Sequence, residues 1–169
     1  MPYGNAPLTP RNCVRASVTN MYGMFENAQA FNGDLSSWDV ASVTNMERMF
    51  QIAQAFTGDL SSWNVANVTN MNRMFDDMAN FHRPELTGAF NGNLSSWDVA
   101  RVTDMSSMFG NAQVFNGDLS LWNVANVTNM NGMFAEAYAF NGSLSSWDVA
   151  RVADMSSMFV NAQVFNGDL

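Results

Sequence analysis

Residues Trp38 to Phe50 read WDVASVTNMERMF, and edited copies of this stretch recur through most of the chain. Each copy starts at a tryptophan, and consecutive copies begin 25, 34, 25 and 25 residues apart: Trp38, Trp63, Trp97, Trp122 and Trp147. A fixed period near 25 residues indicates a repeat protein. In such a protein each unit packs mainly against its two neighbours, so stability grows with the number of units.

The repeat divides the chain into two parts. Residues 1–12 hold three of the four prolines and no periodic pattern, which predicts an irregular lead-in. Residues 13–169 are predicted to form a single solenoid of about six 25-residue units, of which the first is degenerate and has Cys13 at the tryptophan position. The 34-residue step places a nine-residue insertion within residues 76–90.

The spacing within one unit predicts both a strand and a helix. Trp38 and Val40 are two residues apart and so point to the same side of a short parallel strand, which resembles the strand of leucine-rich repeats. Thr44 is a candidate N-cap, and apolar residues from Val43 to Ala53 follow at helical spacing. We therefore expect an α/β repeat, a leucine-rich-repeat-like β/α solenoid with buried tryptophan and methionine columns. The Asn-Gly pairs such as Asn32-Gly33 are expected to turn the chain at positive φ.

The pattern F-N-G-D-L-S-S-W-D-V-x-x-V-T-x-M-x-x-M-F, read from Phe31 to Phe50, resembles the repeat of BspA-like leucine-rich-repeat surface proteins, the DUF285 family. The resemblance covers about residues 18–169. It implies a β/α solenoid, a cell-surface or extracellular location, and a role in binding, adhesion or assembly. It carries no catalytic or cofactor residues to this chain. Residues 1–12 contain no apolar segment of the kind found in signal peptides, and no membrane anchor is recognised.

Composition and motifs argue against several classes of function. The net charge is −8 and all seven basic residues are arginines, so a nucleic-acid partner is not expected. No apolar run is long enough to span a membrane. One histidine and one cysteine, far apart in sequence, give no catalytic pair, metal motif or phosphate-binding loop. We expect a protein that is not an enzyme and that holds no cofactor or metal.

The residues that alternate with the buried strand positions form a candidate binding face. They are acidic, amidic and hydroxyl side chains: Asp39, Asn64, Asp98, Asn123, Asp148, Ser37, Ser62, Ser96 and Ser146. Because carboxylates stacked on adjacent strands repel, the alternation of Asp and Asn spaces the charges. This face could bind a basic peptide segment or, through its oxygen atoms, calcium. The alternative is a solvated ladder of side chains that bond to one another.

The insertion is a second candidate site, because insertions in repeat proteins become loops on one face and often carry binding. Its candidate residues are Asp76, Asp77, Phe81, His82, Arg83, Glu85 and Phe90. Either Phe81 or Phe90 can occupy the phenylalanine position of the repeat. The alternative is a tolerated surface loop, since long insertions cost little in closure entropy.

These observations favour a scaffold that binds protein partners through the face, the loop or an uncapped C-terminal end. A structural or linker subunit of a larger complex, which could be membrane-associated, is one alternative, and carbohydrate or surface adhesion is another. The sequence stops where the next Ser-Ser-Trp stretch should begin, so we expect its C-terminal end to dock on a partner or to continue into further repeats.

Overall fold

A computed structural model describes residues 18–78 and 90–167, and within these ranges it contains no α-helix and no extended strand. Consecutive units instead meet at single parallel bridges between Asn20 and Asn45, Asn45 and Asn70, Asn70 and Asp104, Asp104 and Asn129, and Asn129 and Asp154. We number the units 1 to 6 by these bridge residues. The expected leucine-rich-repeat-like solenoid, with a strand and a helix in every unit, is therefore wrong. The predicted boundary at residue 12 lies outside the described residues.

Each unit is a chain of four-residue turns. In unit 2 the amide of Met49 donates to the carbonyl of Met46 at 3.2 Å, and two overlapping turns follow at once along the chain. The alternate amides of this segment, which close no turn, point out of the unit. The amide of Met46 donates to the carbonyl of Asn70 in unit 3 at 3.0 Å. The amides of Arg48, Phe50 and Ile52 do the same at 2.8–3.0 Å. A helix would bond every amide to the carbonyl four residues earlier, so this division of the amides excludes one.

The backbone φ angles also exclude a helix. Arg48 and Ile52 have φ of 56° and 60°, at the third positions of two of these turns, and the equivalent residues of the other units are alike. Non-glycine residues adopt such angles at a cost and never in a right-handed helix. The prediction of positive φ at the Asn-Gly pairs is wrong, because the only glycines with positive φ in the described ranges are Gly23 and Gly132. Gly58 is needed for space instead: a Cβ there would lie 2.7 Å from the Phe56 ring.

The core consists of apolar columns that run through all the units. Met46, Met49 and Phe50 are fully buried, as are their equivalents in units 3 to 5. Trp63, Trp97, Trp122 and Trp147 are at most 5% exposed, which agrees with the expected burial of the tryptophans. Each of these four indoles donates its Nε1–H to a leucine carbonyl of the preceding unit at 3.0–3.1 Å. Equivalent residues therefore touch from unit to unit, in register.

Candidate functional site

The predicted binding face lies on the surface of the molecule, and all nine of its residues are exposed. Its carboxylate and amide oxygens are bonded to the backbone of their own turns. The Oδ1 atom of Asp39 accepts the amide of Ala41 at 3.1 Å, and Asn64, Asp98, Asn123 and Asp148 accept the amide two residues ahead in the same way. These side chains therefore close local turns in addition to meeting solvent.

The serines of this face connect the units. The hydroxyl groups of Ser62, Ser96 and Ser146 donate to carbonyl groups of the preceding unit at 2.5–2.9 Å. Unit 5 breaks the series, since Leu121 stands at the serine position with 78% of its surface exposed. Much of the hydrogen-bonding capacity of the face is thus used inside the protein. A binding role for these nine residues stays a prediction.

The predicted loop is only partly described by the structure. Phe90 is buried and stacks between Phe56 and Phe115, with ring centroids 6.0 and 6.2 Å away, so it holds the phenylalanine position of its unit. Phe81, His82, Arg83 and Glu85 lie outside the described residues. The remaining two, Asp76 and Asp77, are half-buried at the end of the turn chain of unit 3.

Asp76 and Asp77 line a cleft of about 400 Å³ in the turn segments of units 2 to 5. Its other walls come from units 2, 4 and 5. The remaining lining residues are Gln51, Ser107, Gly110, Asn111, Gly132, Ala135 and Glu136. This volume is within the usual range of small-ligand sites. No cationic side chain is among these nine residues, although three of them are carboxylates.

The cleft exists because two neighbouring units carry small residues at one repeat position. Going from unit 1 to unit 6, this position holds Glu26, Gln51, Asp76, Gly110, Ala135 and Val160. Gly110 and Ala135 leave space that the longer side chains fill elsewhere. A Cβ atom on Gly110 would lie 2.6 Å from Oδ1 of Asp76, so that carboxylate reaches over the glycine.

Asp76 is a partly buried carboxylate of the cleft, and 19% of its side chain is exposed. Its Oδ2 accepts a hydrogen bond of 2.8 Å from Nε2 of Gln51, and Nε of Arg73 lies 3.9 Å away. Burial raises the pKa of Asp76 to about 6, and the neighbouring charge of Asp77 adds to the rise. Arg73 and the Gln51 hydrogen bond act in the opposite direction but only partly offset it. The carboxylate is therefore charged at neutral pH and incompletely compensated by its neighbours.

The other walls are held in place by hydrogen bonds between units. Nδ2 of Asn111 donates to Oδ1 of Asp77 at 2.7 Å, and Oδ1 of Asn111 accepts from Nε2 of Gln113 at 3.0 Å. Asn111 thus links the acidic wall of unit 3 to unit 4. The backbone at Ser107, Asn111 and Glu136 has φ between 50° and 60°, which fixes the direction of these side chains.

Sequence reasoning found Asp76 and Asp77 but missed the rest of the cleft. The missed residues come from units 2, 4 and 5 and lie outside the insertion in sequence. A usable signal was present in the repeat: aligned by position, Gly110 and Ala135 are the two smallest residues at their position. A local loss of side-chain volume in an otherwise regular array predicts a cavity.

Two further kinds of site find no support in residues 18–78 and 90–167. Nowhere in these ranges do three histidine, cysteine or acidic residues come together as ligands for a metal ion. The same ranges contain no helix that could span a membrane.

Comparison with known proteins defines the class of the chain. The family described as "Mycoplasma protein of unknown function, DUF285" matches it twice, over residues 11–87 and 83–169. Together the matches span most of the sequence, so the chain belongs to the DUF285 family, as the repeat pattern indicated. No curated protein and no solved structure matches the chain.

Proposed function

We propose that this chain is a protein-binding module without enzymatic activity, and that it binds its partner at the cleft over Gly110. The observation that carries the proposal is the interruption of a regular stack at one place. Side chains in the other units fill the repeat position that Gly110 and Ala135 leave open, and polar groups from four units surround the resulting space. Ligands bind in concave sites where polar groups converge, and this cleft is such a site.

The turn chain itself does not require the small residue at position 110, although in this unit a Cβ there would meet Oδ1 of Asp76 at 2.6 Å. Residues 97–118 and 147–168 are identical except at Thr103/Ala153 and Gly110/Val160, so the repeat accepts valine where the cleft has glycine. The small residue at position 110 is therefore not needed to form the turn chain. The exposed polar face is a weaker candidate, because so many of its polar atoms already bond to the backbone.

The repeat itself supplies a matched pair of variants for the test. Gly110→Val introduces the residue of unit 6 into unit 4 and fills the cleft, and Thr103→Ala introduces the other difference outside it. A random-sequence peptide library would be selected on the unmodified protein and then measured on both variants. We expect the selected peptides to lose at least about tenfold in affinity on Gly110→Val, which is about 1.4 kcal/mol, and to keep their affinity on Thr103→Ala.

Circular dichroism and a urea unfolding curve show whether each variant is folded before binding is compared. If Gly110→Val does not fold, Ala135→Val fills the same cleft from the next unit and replaces it. Selected peptides that bind the filled and open clefts equally well would overturn the proposal. So would a selection that yields no ligand at all from the unmodified protein.

A further inference from the structure

We propose that the group entering this cleft is the guanidinium of an arginine side chain, presented by the partner protein. The inference rests on the proposed function and names the chemistry that the site selects. It stands on three observations: the concave shape of the cleft, the origin of its acceptor groups in three units, and the absence of a cationic side chain within its lining.

The acceptor groups come from three different units. Asp76 and Asp77 belong to unit 3, Ser107 to unit 4 and Glu136 to unit 5. A guanidinium carries five N–H donors in a planar fork and can reach acceptors in several directions at once, whereas an ammonium is a compact point charge with three donors. Acceptors spread over three units therefore suit arginine better than lysine.

Two acceptor oxygens are brought into the cleft over its glycines. An added Cβ at Gly110 or Gly132 would lie 2.6 Å or 3.3 Å from a side-chain oxygen of the preceding unit. The glycines thus leave room for these oxygens at the surface of the cleft. The two oxygens, Asp76 Oδ1 and Ser107 Oγ, are both acceptors for an N–H donor.

The charge balance also calls for a cation. Arg73, the arginine nearest to Asp76, lies at 3.9 Å, and 44% of its side chain is exposed, so it compensates the buried carboxylate weakly. An ion pair formed inside the cleft would have lower dielectric screening than this surface contact. A metal ion is a poorer candidate, because the described residues gather no set of ligands that could hold one.

The test compares three versions of one selected peptide that differ only at its arginine: arginine, lysine and citrulline. Citrulline keeps the shape of arginine and removes its charge. We expect citrulline to weaken binding by about tenfold or more and lysine to fall between the two, since hydrogen bonds that involve charged groups are stronger than neutral ones. Binding is measured by calorimetry at pH 7.5 on the full chain.

A second arm removes the charge from the protein instead. Asp76→Asn preserves the size of the side chain, so we expect it to weaken the arginine peptide by about tenfold and the citrulline peptide hardly at all. Thr103→Ala is the control and should leave all three peptides unchanged. Peptides that contain no arginine or that bind equally well with citrulline overturn the inference, while their loss on Gly110→Val still supports the cleft as the binding site. Peptides unaffected by Gly110→Val overturn the proposed function as well.

Discussion

Residues 97–118 and 147–168 are nearly the same sequence in two different surroundings. Their backbones are alike: Ser107 and Ser157 have φ of 51° and 58°, and the turn bond that ends at Met108 or Met158 measures 3.1 Å or 3.2 Å. Their burial differs. Phe109 is fully buried between neighbouring units, whereas its equivalent Phe159 is only partly buried.

The difference shows which properties of a unit depend on its own residues and which depend on its neighbours. The conformation of the turn chain depends on the unit's own residues, because it is the same in both copies. Burial of its apolar side chains depends on the units on either side. The side-chain volume at position 110 or 160 adds a third property, the presence or absence of a cleft, that a single substitution controls.

The largest expected effect is the loss of stability when the same phenylalanine is removed from each copy. Phe109→Ala removes a ring that stacks on both Phe75 and Phe134 at 5.7 Å, and we expect it to lower the free energy of unfolding by about 3–5 kcal/mol. Phe159→Ala removes the equivalent ring where it has one such neighbour, Phe134, and should cost less than half as much. Urea unfolding followed by tryptophan fluorescence measures both. Equal costs would mean that burial by the neighbours does not set the stability of a unit.

A smaller effect is expected at the acidic wall of the cleft. Because the pKa of Asp76 is raised to about 6 in the folded protein from an ordinary value of 3.8, the folded state binds more protons between these limits. The contribution of Asp76 to stability is therefore complete below pH 3.8 and is lost as the pH rises through 6. Asp76→Asn should raise the free energy of unfolding by roughly 1–3 kcal/mol at pH 7.5.

The pH dependence of this variant distinguishes the charge from other effects of the substitution. The advantage of Asp76→Asn over the unmodified protein should disappear as the pH falls to about 4, where the carboxyl group is neutral. Asp39→Asn, at an exposed position of the polar face, provides the control. A constant advantage from pH 4 to pH 7.5 would rule out incomplete compensation of Asp76 as the cause.

The smallest expected effect tests whether the backbone conformation of a unit depends only on its own residues. Ser107→Gly and Ser157→Gly relieve the same positive φ, and each should raise the free energy of unfolding by about 0.5–1 kcal/mol. The two effects should agree although the surroundings differ, in contrast to the phenylalanine pair. A gain at Ser107 with a loss at Ser157 would show that the neighbours shape the backbone too.

The repeat, its register and its core could be predicted from the sequence. Tryptophans and methionines at fixed positions had to be buried in columns, and the structure places them so. The secondary structure could not be predicted in this way. Met46 and Met49 are three residues apart because they open and close a turn, and this spacing is indistinguishable from that of an amphipathic helix. The turn chain and a helix differ in where the alternate amides bond. In the turn chain these amides donate to the next unit, whereas in a helix they would donate within the same segment.

Only part of the candidate site could be predicted from the sequence. Asp76 and Asp77 stood out because the insertion near them breaks the sequence period. Gly110 and Glu136 reach the same place only through stacking of units whose relative offset depends on the turns, and a strand-and-helix unit would have placed them elsewhere. The hydrogen bonds that occupy much of the polar face were likewise hidden, because they follow from Asx turns and inter-unit contacts.

The division of amides between turns and the next unit ties the integrity of each unit to that of its neighbours. In units 1 to 5, alternate amides of the turn chain donate forward, as Phe25 does to Met49 and Phe109 does to Met133. If one unit opens, the unit before it loses acceptors for a whole row of buried donors, an expensive loss in a dry core. The unit after it also loses acceptors, among them the leucine carbonyl that receives its buried indole N–H and the carbonyl of Thr103 that receives the amide of Thr128. Local opening of one unit should therefore leave unpaired donors in both of its neighbours.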